Sequence, residues 1–133
     1  MKQLRAEQGQ AAIEFAMTAL LFFTLVIFIM DGSRIFWNYL TVSEAANEGA
    51  RFAIVHSKDS ESPLSGTDLE DYVKGRAVGL DPAHMKVTWS PTELTRGSTV
   101  KVTVYYETQT ITSLFWPNLT IPFVDSATMV VQN

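Results

Sequence analysis

The sequence predicts an α+β protein in which a long N-terminal α-helix, half apolar and half amphipathic, packs on a small antiparallel β-sheet that carries a second short helix. Three observations predict it. From Ala11 to Met30 Glu14 is the only ionisable side chain. From Ile35 to Ala53 apolar residues return every three or four positions. In the C-terminal half apolar and polar residues alternate over two well-marked stretches.

The apolar run comes first. About 20 residues at 1.5 Å each make about 30 Å of helix, the hydrocarbon thickness of a bilayer. Lys2 and Arg5 precede the run and Asp31 follows it. The positive-inside bias therefore puts the amino terminus in the cytoplasm and the bulk of the chain outside it. A cleaved secretory signal would end in small residues of A-x-A type, and Phe28-Ile29-Met30-Asp31 offers none. A carboxylate at a bilayer centre costs about 2.5 to 3.5 kcal/mol on insertion scales. Glu14 therefore either has a partner or lies close enough to the cytoplasmic headgroups to reach water.

Beyond Met30 the spacing of Ile35, Tyr39, Val42, Ala46, Gly49 and Ala53 predicts one amphipathic helix to about Val55, with Arg34, Asn38, Thr41, Glu48 and Arg51 on its polar face. No proline occurs before Ser62, so span and amphipathic half can form one rod. Asp31-Gly32-Ser33 is its weak point: glycine costs about 1 kcal/mol in a helix interior, and Asp or Ser can cap a restarted helix. Gly32 is thus a candidate hinge. The small residues Ala45, Ala46, Gly49, Ala50 and Ala53 allow close approach of a sheet or of another helix.

His56 to Gly66 reads as an exposed linker. Thr67-Asp68-Leu69-Glu70 has the pattern of a capping box, and Gly79 with Pro82 closes a helix from about Asp68 to Val78. Met85, Val87 and Trp89 predict one strand and Val100 to Tyr106 a second, across a turn from Pro91 to Gly97. Ala127, Met129 and Val131 supply a third. Between the last two, Leu114-Phe115-Trp116-Pro117 and Ile121-Pro122-Phe123 place large apolar groups where proline discourages regular structure. That loop can fold over the sheet, dip into the membrane surface, or meet a partner through Phe115 and Trp116.

Composition excludes several functions. A net charge of −4 on 133 residues, with scattered Lys and Arg, argues against nucleic-acid binding. There is no cysteine, and neither His56 nor His84 has a second ligand at i+3 or i+4, so no metal and no cofactor is expected. No nucleophile with a base, carboxylate pair or phosphate-cradling glycine loop stands at a telling spacing, so no catalytic residue is assigned and the protein is not expected to be an enzyme.

Gly9 stands just before the span, and Glu14 and Phe15 stand five and six positions after it. This arrangement resembles the type IV prepilin processing motif, in which a prepilin peptidase cuts after glycine and glutamate becomes residue five of the mature chain. The implied cut falls between Gly9 and Gln10. Glu followed by an aromatic resembles the tight-adherence (Flp/Tad) branch, where Tyr is the usual residue in place of Phe15. The run Ser43 to Ala53, with Glu48-Gly49-Ala50-Arg51 at its centre, resembles the EGAR segment of TadE-like minor pilins.

The resemblance implies a pilin-like fold and a division into leader (1–9), transmembrane half-helix (10–30), amphipathic half-helix (31–55) and extracytoplasmic head (56–133). It implies a pseudopilin of a bacterial inner membrane that acts in pilus assembly, adherence and biofilm formation. Prepilin peptidase, other pilins and pseudopilins, the inner-membrane assembly platform and the lipid bilayer are its implied partners, and Glu14 and Phe15 are implied in assembly and register. The alternative is a signal-anchored extracytoplasmic binding or sensor domain, which predicts an uncut amino terminus.

Overall fold

The structure is a computed structural model that describes residues 2–58, 60, 62–64, 67–91, 94–114 and 119–131, with side chains described from residue 9 onward except that of residue 114. Helix α1 (Lys2–Val55) is followed by α2 (Asp68–Arg76), a 3-10 turn (Pro82–His84), strands β1 (Met85–Ser90) and β2 (Thr99–Gln109), a second 3-10 turn (Ile111–Leu114) and β3 (Thr120–Val130). The class is α+β, as the periodicities predict.

The sheet has the order β1-β2-β3 and is antiparallel throughout, with Met85 opposite Tyr106 and Tyr106 opposite Phe123. Because side chains alternate across a strand, one face collects Met85, Val87, Val100, Val102, Val104, Tyr106, Phe123 and Ala127, all buried. Helix α1 covers this face with Val42, Ala45, Ala46, Ala50 and Ala53, also buried. The helix side is small and the sheet side is β-branched, so the valines fill the space that the alanines leave. Each fully buried Val contributes about 1.5 to 3 kcal/mol, which makes this seam the main source of the head's stability.

Gly49 marks the closest approach. A Cβ there would stand 2.6 Å from Val73 Cγ2 of α2 and 3.2 Å from Val102 Cγ1 of β2. Gly49→Ala gains about 1 kcal/mol of helix propensity but overpacks two fully buried, stiff side chains at about 1 to 3 kcal/mol. It is expected to lower the urea midpoint of the detergent-solubilised protein, and Gly49→Leu to lower it further. A raised midpoint for Gly49→Ala would show that α2 gives way freely. Helix α2 also docks through Leu69, and Tyr72 stacks on Phe52 at 4.1 Å between ring centroids.

Several expectations need correction. Tyr39 is 53% exposed, whereas Asn38 and Thr41 are buried. Around the axis from Val42, the buried Asn38 and Thr41 lie to one side and Tyr39 about 60° to the other, so the head grips this part of the helix from the Asn38 side. Helix α1 does not restart at Asp31-Gly32-Ser33: it is continuous there, and Ser33 Oγ donates back to the Ile29 carbonyl at 2.8 Å instead of capping. With 54 residues it is about 80 Å long.

Helix α2 ends at Arg76, and the Thr67 hydroxyl makes no cap because its backbone (φ −95, ψ 1) is already near-helical. The Asp71 N–H bonds the Thr67 carbonyl instead. The segment after α1 is tied down where it is described: Ser57 is buried, the Lys58 amide donates to the Leu94 carbonyl, and the Leu64 amide donates to the His56 carbonyl. Finally, Ile121-Pro122-Phe123 is part of β3. Pro122 is tolerated because β3 is an edge strand, where half the backbone N–H groups face away from the neighbour.

Candidate functional site

The residues that the processing motif singles out all lie on the exposed N-terminal part of α1. Gly9 has open space around it: a methyl group placed on its Cα would meet nothing within 4 Å. Gln10 and Glu14 share a helix face at i,i+4, and Gln10 Nε2 donates to Glu14 Oε1 at 3.1 Å. Phe15 is 75% exposed. None of the most apolar window of this helix is buried inside the protein. Such a window is long and apolar enough to cross a membrane, and a helix with that much bare apolar surface is compatible with a single-pass anchor.

The carboxyl end of the apolar run holds a group whose use the sequence did not reveal. Asp31 is buried, and it faces the second 3-10 turn. Its Oδ1 accepts the Ile111 N–H at 2.7 Å. Its Oδ2 accepts the Thr112 N–H at 2.9 Å and the Thr112 hydroxyl at 2.6 Å. The Thr112 oxygen also lies 3.0 Å from the Thr110 hydroxyl, and Ser113 closes the turn by donating from both N–H and Oγ to the Thr110 carbonyl.

The first amides of a helical turn have no partner within it. Here a carboxylate some 80 residues earlier in the chain supplies one, so Asp31 works as a cap in trans to its own helix. The effect is a clamp that holds the start of the β2–β3 connection against the end of the span. A signal for it did exist: Asp31, Ile35, Asn38 and Val42 follow one another at spacings of four, three and four, so the buried stripe begins one turn earlier than Ile35.

The structure does not bring the other predicted residues together. Gly32 is exposed within α1, one residue past the clamp, and Phe115 and Trp116 lie outside the described residues. Glu48 and Arg51 of the EGAR segment approach to 4.0 Å on the surface, a pair worth little by itself. The buried members of that segment, Gly49, Ala50 and Ala53, are the ones that admit the sheet and α2.

Residues 9–51 match the family model described as TadE-like protein. No curated protein and no solved structure matches the chain. The matched segment begins at the glycine before the apolar run, includes Asp31 but not the turn it holds, and ends at Arg51. Over the segment that carries the apolar run and the close-packed face of α1, this chain is similar to the TadE-like family.

Proposed function

We propose that the protein is a minor pilin, or pseudopilin, of a tight-adherence type IV pilus: held in a bacterial inner membrane by α1 with its amino terminus in the cytoplasm, cut by prepilin peptidase between Gly9 and Gln10, and acting with other pilins and the assembly platform in pilus assembly, adherence and biofilm formation. The observation that carries the reading is the extent of the family match, which opens at Gly9 and closes on the EGAR segment. The exposed span and the packed small-residue face support it, since together they make a membrane rod with a head fixed to it.

Its role is assembly, not catalysis. In that role the cut frees an α-amine on Gln10 with an ordinary pKa near 8, and Glu14 of a neighbouring subunit is the acid that pairs with it. The Gln10–Glu14 bond within one chain is the competing arrangement. Phe115 and Trp116 are the proposed contact with a partner pilin.

Intact mass of the protein extracted from membranes tests the reading. Cells with active prepilin peptidase should yield a chain starting at Gln10, and Gly9→Leu should yield a full-length chain still inserted in the membrane. A wild-type protein that keeps Met1 in such cells would falsify the processing and favour a signal-anchored domain.

A further inference from the structure

The apolar surface of α1 does not stop at Met30. Phe36, Trp37, Tyr39 and Leu40 are all large and about half or more exposed on the part of the helix that the sheet leaves uncovered, with Trp37 and Leu40 bordering a cleft beside Gly75, Arg76 and Val78 at the end of α2. On a helix whose other side is docked, polar residues belong there. These residues also continue the surface of the span. Phe22, Ile29 and Phe36 recur at a spacing of seven, as do Phe23, Met30 and Trp37, and all six are exposed. Seven residues are nearly two turns, so the two rows run side by side along one flank from the span into the amphipathic half.

The four residues between Met30 and Ile35 do not need bulk water. Asp31 has its carboxylate closed into the clamp. Gly32 has no side chain to hydrate. The Ser33 hydroxyl is bonded to the Ile29 carbonyl. Arg34 is exposed, and its long apolar stem lets the guanidinium reach outward to headgroups. Trp and Tyr concentrate where a helix leaves the hydrocarbon, because one end of each ring is apolar and the other wet.

We infer that the lipid bilayer occupies this arc: the outer edge of the hydrocarbon lies near Arg34, and Phe36, Trp37, Tyr39 and Leu40 sit in the outer headgroup layer. The inference rests on the single-pass reading but not on pilus membership. Counting about 20 residues back from Arg34 for about 30 Å of hydrocarbon puts the inner edge near Phe15. Glu14 and Gln10 then stand in the cytoplasmic headgroup layer, where water reaches the carboxylate. The second 3-10 turn, held by Asp31, is drawn to the level of the outer membrane boundary, so the head sits on the bilayer without an intervening stalk.

Depth-dependent quenching of Trp37 tests this. The full chain with Trp89→Phe and Trp116→Phe, which leaves Trp37 as its one tryptophan, is reconstituted into phosphatidylcholine vesicles carrying bromine either near the headgroup or near the acyl-chain end. The expected result is a blue-shifted emission that loses about half its intensity to the shallow bromine and less to the deep one, as for an interfacial tryptophan. If the double variant folds poorly, the difference between wild type and Trp37→Phe gives the same signal. Water-like emission from an inserted protein, quenched by neither lipid, overturns the inference and leaves the arc to a protein neighbour. Extraction of the protein by alkaline carbonate overturns the single-pass reading and this inference with it.

Discussion

Val42→Asp is expected to abolish the cooperative unfolding transition of the head while leaving the helical span intact. Val42 is 1% exposed and lies among the alanines of α1 against the sheet. Among the described residues no Lys or Arg is buried for a carboxylate there to meet, and an unpaired charge cannot be buried without a penalty of several kcal/mol. A head of this size has about 5 to 15 kcal/mol of stability in all, so most of it would go. Near-ultraviolet dichroism of the detergent-solubilised protein should lose its thermal step, with far-ultraviolet helix signal retained. Tyr39→Gln, three positions away on the exposed arc, should stay within about 0.5 kcal/mol of wild type. Identical curves for Val42→Asp and wild type would mean that the stripe does not lie under the sheet.

Asp31→Ala is expected to be the next most damaging change, and the damage should be local before it is global. It removes three hydrogen bonds to one carboxylate and leaves the Ile111 and Thr112 amides without partners. Orphaned donors cost about 1 to 3 kcal/mol each when buried, and these are half-buried and coupled, so a loss of about 2 kcal/mol is expected in urea unfolding. Hydrogen exchange locates it: the amides of Ile111 and Thr112 should lose protection while those of β2 opposite β1 keep theirs. Asp31→Asn should not fully restore the clamp, because in either orientation its amide nitrogen would face one backbone N–H donor, that of Ile111 or of Thr112. Equal protection of these amides in wild type and Asp31→Ala would show that the turn is held by Thr110 and Ser113 alone. A soluble head that begins at Gly32 omits the clamp and should show the same local exchange.

What could be read from the sequence was what depends on neighbours in the chain. The apolar run, the end of α1 at Val55, and the alternation in β1 and β2 are local patterns, and each is where its period puts it. The close approach at Gly49 was legible as a cluster of small residues, although two elements meet there and not one. Asp31 was not legible as a clamp, because its partners are some 80 residues away and an acid after a span reads equally well as a cap. The choice of Tyr39 over Asn38 failed because both stand within about 60° of Ile35, so hydrophobicity decided it, whereas the head docks from the Asn38 side. Pro122 argued against a strand, and only the position of β3 at the sheet's edge makes it acceptable. Among the candidate site residues, Gly9 and Glu14 were singled out by pattern and lie exposed on the helix surface, so the fold by itself gives them no task.

The unbroken course of α1 past Asp31 has a rotational meaning. Side-chain directions advance by about 100° per residue along a helix, and Glu14 stands about 4.7 turns before Asp31. Its side chain therefore points roughly 100° around the axis from the flank that the head grips at Asp31 and, farther along, at Gly49. The helix is a keyed shaft. A neighbour that engages Glu14 near one end of α1 also sets the compass bearing of the head near the other, and a contact that turns the head swings Glu14 through the same angle.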